Sequence, residues 1–402
     1  MREGGDKVLL GGTVMGIRPR FGTLLTVLVL AGAAALEGCG GDHAATSGAS
    51  APAAIRLGAL VPLSGTNAQS GREMRDAAQM AVDEVNAAGG VLGRKVELLV
   101  SDDACDPGTA VVKANDLVAQ DITVSVGGYC SSATVPTLKV FRDAGVPMVI
   151  ALATSTDLLV PKYDSVFLIS GTVTAEGVFA VAAMRRMGSK RLIIVNDGTS
   201  FPVTLGRTTA DAAAKPGTGI ETVATHELSQ GAPSYARLAR QIVGEKVDTV
   251  YFTGYYGEAN QLIRDLRTAG FDGRIFVGDG ATDGPLLTNL TAAQTRNVFG
   301  TALMVPTLMP SLAEWSKRFE KVTGRQPGAG GPESYDAVTV AVDAIKRAGS
   351  VDHAAVRAAI AATPDLPLLS GKVKFNADGT RENPVFLLLQ VRDGKLVEIP
   401  AG

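Results

Sequence analysis

From Ile55 onward, short runs of contiguous apolar residues alternate with longer runs in which apolar residues recur every three or four positions. Ile55 to Val61 reads as a buried strand, and Met74, Ala77, Ala78, Ala81, Val82 and Val85 then share one helix face, which Gly89-Gly90 ends. Lys95 to Val100 is the next strand, and Pro107 suits the first turn of a helix running toward Gln120. Thr123 to Val126, a helix ending at Ala144 and Pro147 to Ala151 continue the scheme. Buried strands separated by crossover helices predict an α/β fold built on parallel sheet.

A second block repeats the alternation. Strands are expected at Arg191 to Val195, Ile220 to Glu227, Thr249 to Phe252 and Arg274 to Gly278, with helices starting near Ala175, Pro202, Tyr235 and Glu258. A third block is mostly helical, marked by Leu312, Trp315, Phe319 and Val322 and then by Ala337, Val338, Ala341, Val342 and Ile345. It closes on Val385 to Val391 and Leu396 to Ile399, joined across Asp393-Gly394. Two doubly wound sheets with a helical return imply two lobes linked by more than one crossing. Ligands of open parallel sheets bind beyond the carboxyl ends of the strands. The loops to watch are therefore Ser64-Gly65-Thr66, Ser131-Ser132, Thr154-Ser155-Thr156 and Asp279-Gly280.

The N-terminus reads as a processing segment. Arg18 and Arg20 precede the apolar stretch from Phe21 to Leu36, and Leu36-Glu37-Gly38-Cys39 follows. The run is short for a membrane span, and its layout is that of a bacterial lipoprotein signal over residues 1–39, with Cys39 as the lipidated residue. Glu37 departs from the small neutral residue usual there, leaving a conventionally cleaved periplasmic protein as the alternative. The charged residues before Met15 fit a signal poorly and make Met15 an alternative start. Residues 40–54, rich in Gly, Ala, Ser and Thr, read as a flexible tether. The net charge of -2 and scattered basic residues give no footprint for nucleic acid.

Catalysis finds little support. The three histidines, His43, His226 and His353, have no partner at metal or triad spacing, and neither a metal nor a cofactor is expected. Gly278, Gly280 and Gly284 miss the spacing of a dinucleotide loop. Asp102-Asp103 are expected to cap the helix that follows, the alternative being a cation site. Cys105 and Cys130 are closely spaced in an exported chain. If bonded they close a loop of about 26 residues, worth roughly 3–4 kcal/mol in the chain-entropy account; two buried free thiols are the alternative. Ser131, Ser132 and Thr154 precede helices, where a hydroxyl is either a plain cap or part of an anion site built on free N–H groups.

DDACDP (102–107), CSSATVP (130–136), VYFTGYYGEANQLIRDL (250–266) and GDG (278–280) together resemble the leucine/isoleucine/valine-binding proteins, the extracytoplasmic receptors of branched-chain amino acid ABC importers. The resemblance runs from Ile55 to the C-terminus. It implies the type I periplasmic binding fold, with an N-terminal lobe of residues 55–172 and 304–384, a C-terminal lobe of 173–303 and 385–402, and three hinge crossings. It also implies a monomeric receptor without enzyme activity that closes on one small, aliphatic amino acid and delivers it to permease subunits. By resemblance Ser131 and Thr154 hold the ligand carboxylate, while Asp279 and a carbonyl near Leu152 hold the ammonium. Tyr255 lines the other lobe's face, and Tyr129, Ala153 and a Cys105–Cys130 disulfide wall the side chain.

The sequence departs from the family at Ser70 and Phe201, where an aromatic residue and a tyrosine are usual, and at Asp279, where the best-known members carry glutamate. These changes leave the carboxylate grip and alter the side-chain pocket. An amide, urea or aromatic acid is thus an alternative ligand, and a periplasmic sensor an alternative role.

Overall fold

Strand alternation builds the first sheet. The computed structural model describes residues 53–400; the expected signal, Cys39 and residues 40–52 of the tether lie outside them. β1 (Ile55–Val61), β2 (Val96–Asp102), β3 (Val124–Ser125), β4 (Met148–Ile150) and β5 (Val166–Leu168) form a parallel sheet in the order β2-β1-β3-β4-β5. Leu57, Ala59 and Val61 point to one face, where they pack with α1 (Ala68–Ala87), and Leu60 points to the other. That second face is covered by α2 (Pro107–Val118) and α3 (Ser131–Asp143), through Leu117, Leu138 and Phe141. Helices on both faces explain why the strand is apolar almost throughout.

The chain then enters a second sheet. α4 (Val173–Arg186), β6 (Arg191–Asn196), α5 (Ser200–Ala213), β7 (Glu221–Glu227), α6 (Ala236–Gly244), β8 (Thr249–Phe252), α7 (Tyr256–Thr268), β9 (Arg274–Val277), α8 (Ala292–Thr295) and β10 (Val298–Ala302) follow in order. Leu192 and Ile194 of β6 face α4 and α5, whereas Ile193 and Val195 face α6 and α7. After β10 come α9 (Ala313–Thr323), α10 (Gly331–Ala348) and α11 (His353–Ala361), and α10 packs on α1 beside the first sheet. A hairpin of β11 (Leu366–Leu368) and β12 (Gly371–Val373) follows. The Leu168 amide then bonds the Gly379 carbonyl at 2.9 Å, before the chain returns to the second sheet as β13 (Leu387–Arg392) and β14 (Lys395–Ile399). The second sheet runs β14-β13-β10-β9-β8-β6-β7, parallel except for its last two strands in chain order. The chain thus passes between the two sheets three times.

The expected cap is displaced. Asp106 caps α2 by accepting the Thr109 amide at 2.7 Å. Asp102 instead accepts the amides of Leu63 and Ala104, holding the loops after β1 and β2 together, while Asp103 accepts that of Cys105 within its own loop. Cys105 and Cys130 are bonded, with Cα atoms 5.4 Å apart, tying the loop after β2 to the start of α3. His226 contacts Glu245, and His353 lies 3.0 Å from the Ile122 carbonyl.

Candidate functional site

The carboxyl ends of the strands in both sheets converge on one cavity of about 530 Å³, counting its open side. From the first sheet it receives Tyr129, after β3, and Leu152, after β4; from the second it receives Phe201, Tyr255 and Asp279. The 302–304 segment and residues 329, 330 and 333 complete the wall. Gly127 lets the Tyr129 loop lie on β1, since a Cβ there would stand 2.4 Å from the Leu60 carbonyl oxygen. Tyr129 and Phe201 both pack against Tyr255, with ring centroids 5.9 and 5.6 Å away. Burial pushes the Tyr129 and Tyr255 phenols well above the usual range, so both stay neutral.

Asp279 follows β9. Its Oδ1 accepts the Gly280 amide at 2.8 Å, and its own amide donates to Glu176 Oε1 at 2.9 Å. Asp279 keeps some surface toward the cavity, yet the protein around it pushes its carboxyl up to about 6. Glu176, buried on α4 beneath it, is pushed well above the carboxylate range by burial and by the neighbouring Asp279 charge. Glu176 also accepts the Thr301 hydroxyl at 2.6 Å. At neutral pH Glu176 therefore holds the proton and Asp279 the negative charge, because Glu176 is the more deeply buried of the two.

The hydroxyl candidates are buried and do not line the cavity. Ser131 is fully buried and accepts the Ser155 amide at 3.2 Å. The Thr154 hydroxyl oxygen is buried without a protein partner, while the Thr154 carbonyl accepts the Val173 amide at 3.0 Å. Ser200 and Thr204 of α5 reach across to the Ser155 hydroxyl at 2.8 and 3.1 Å, so the second sheet closes over this corner. Neither Ser131 nor Thr154 borders the open part of the cavity. Ala153 packs with Ile150 and Leu158 beneath the first sheet. Ser70, on α1, stands behind the wall and donates to Asp283 Oδ2 at 2.5 Å.

Three groups were not anticipated from the sequence. Glu176 supports Asp279 from below, while Asp283 and Glu333 line the cavity itself. Asp283 and Glu333 are 6% and 2% exposed, and burial raises both carboxyls, Glu333 to about 8. Asp283 sits four positions beyond Asp279 in the same loop, a signal that was available; Glu333 reads in sequence as an ordinary first-turn acid. Among the described residues the cavity wall carries three carboxyls and neither lysine nor arginine. No metal-holding group of side chains occurs among the described residues.

The family described as periplasmic binding protein matches residues 54–395. The Leu/Ile/Val-binding protein BraC3 of Rhizobium johnstonii is 32% identical over 86% of this chain and 94% of its own length. The leucine-, isoleucine-, valine-, threonine- and alanine-binding protein of Pseudomonas aeruginosa is 29% identical over 82% of this chain and 87% of its own. Among solved structures, the substrate-binding protein LivJ of Streptococcus pneumoniae, in complex with isoleucine, superposes with a TM-score of 0.78 at 22% identity, covering 86% of this chain and 99% of that one. Sheet order, convergent strand ends and sequence relationship agree: the chain is a periplasmic binding protein, a non-enzymatic solute receptor related along most of its length to the Leu/Ile/Val-binding proteins.

Proposed function

We propose that this protein captures one α-amino acid between its two sheets and presents it to the permease of an ABC importer. The observation that carries the reading is Asp279: a carboxylate in a largely enclosed cavity whose wall supplies no cation. A carboxylate held largely out of water without a counter-charge is costly, and a ligand ammonium would supply one. Two positions beyond Leu152, the unpartnered Thr154 hydroxyl, with Ser131 at the start of α3, supplies donors suited to the ligand carboxylate. Leu152, Tyr129 and Tyr255 offer apolar walls for its side chain.

Residues 55–172 with 304–384, and 173–303 with 385–402, act as the two lobes. A zwitterion gripped by Thr154 on one and Asp279 on the other favours the closed arrangement, because its two ends are satisfied together only there. Export follows from the N-terminal segment, with Cys39 as the lipid attachment point. The test is titration calorimetry of the purified protein with a panel of amino acids. Asp279→Asn and Thr154→Ala should each weaken the best ligand by about 1–3 kcal/mol, and unaltered affinity in both removes them from the site.

A further inference from the structure

Part of the cavity wall has a chemistry that an aliphatic ligand does not use. Glu333 opens α10 and lines the cavity, where it is 2% exposed. Its Oε1 accepts the Met304 amide at 3.2 Å, but its Oε2 is buried and has no protein partner. Asp283 lines the same cavity, with its two oxygens held by Ser70 and by the Gly284 amide. The position of Glu333 in the first turn of α10 accounts for a favourable helix charge interaction, and Met304 accounts for one oxygen. Neither accounts for a second oxygen buried without a partner in a side chain that lines a cavity with neither lysine nor arginine in its wall.

We propose that Glu333 is a specificity-determining residue and that the ligand's side chain ends in a hydrogen-bonding nitrogen group, an amide or a cationic amine, rather than in a bare hydrocarbon. This rests on the amino-acid reading above and narrows it. An aliphatic side chain would leave Glu333 Oε2 desolvated and unpaired, whereas an amide pairs with the carboxyl in either protonation state and a cationic amine pairs with its ionised form. A site built around a buried polar group discriminates strongly against analogues that cannot pair with it. Asp279 remains the partner of the α-ammonium, so the two carboxyls serve opposite ends of the ligand. Ser70 fits the same scheme, because it holds Asp283 in the wall at a position where the resembled family usually carries an aromatic ring.

Calorimetric titration of the full-length exported protein with norleucine, leucine, glutamine, ornithine and lysine tests this. Either the amide or the cationic arm is expected to bind at least roughly tenfold tighter than norleucine and leucine, and the arm that wins identifies the donor. Glu333→Leu should cancel or reverse that ratio, and Glu333→Met serves if the leucine variant does not fold. Wild-type protein that binds leucine or norleucine as tightly as the nitrogen-bearing ligands overturns the inference, as does a ratio unchanged in the variants. Tight aliphatic binding abolished by Asp279→Asn would sink this inference alone. Failure of every α-amino acid to bind would sink the underlying reading with it.

Discussion

The Asp279 amide donates to Glu176 Oε1 at 2.9 Å, placing two acids 103 residues apart against each other, Asp279 in the cavity wall and Glu176 behind it. Burial raises both carboxyls, and the lower one keeps the proton. The pair delivers a single negative charge to the cavity, and Glu176 holds the Asp279 backbone in place through its amide.

This arrangement fixes the pH dependence of binding. An ammonium prefers the ionised Asp279, whose carboxyl titrates at about 6. Affinity for a zwitterion should fall by nearly tenfold for each unit below 6, since protonation removes the charge that the ammonium meets, while any change between pH 7 and 8 belongs to Glu333, pushed up to about 8 in the same wall. Titrations between pH 5 and 8 check this. Asp279→Asn should flatten the profile, and Glu176→Gln, which mimics the protonated acid, should leave it in place.

The Ser70–Asp283 hydrogen bond joins α1 beside the first sheet to the loop after β9 of the second. Ser70→Ala removes the donor from a buried carboxylate and should weaken the arrangement in which the sheets close on the ligand. The expected loss is about 1–2 kcal/mol of binding free energy by calorimetry, with the fold intact by circular dichroism. Unchanged affinity would show that this contact does not contribute to closure.

Cys105 and Cys130 are 25 positions apart, and their bond staples two loops at the edge of the site. Replacing both by serine should lower the unfolding free energy by roughly 3–4 kcal/mol if the chain-entropy account holds. Denaturant titration measures it. A loss below about 1 kcal/mol would mean that the unfolded chain is already compact in this region.

Much of this architecture was legible from residue pattern. Ile55 to Val61 and Thr249 to Phe252 are long enough, and apolar enough, for buried strands to declare themselves, and both occur at those bounds. β5 is only Val166–Leu168, too short to show a period, and β10 is broken in composition by Gly300 and Thr301. Those strands exist because neighbours pair with them, a tertiary fact the local sequence does not carry. The site divides in the same way. Asp279 stands out in a loop that follows a strand, whereas Glu176 and Glu333 sit in helix first turns, where acids are common for local reasons. What distinguishes Glu333 is the absence of a partner for Oε2, which depends on residues far away in the chain.

The central claim is that Asp279 meets a ligand's α-ammonium. The direct measurement compares amino acids with their des-amino acids: leucine with 4-methylpentanoate, and glutamine with 4-carbamoylbutanoate, titrated into the same protein at pH 7.5. The account predicts that whichever amino acid binds will lose at least about a hundredfold in affinity when its amine is removed, as a buried carboxylate is then left unpaired. A des-amino acid that binds as tightly as its parent would contradict it.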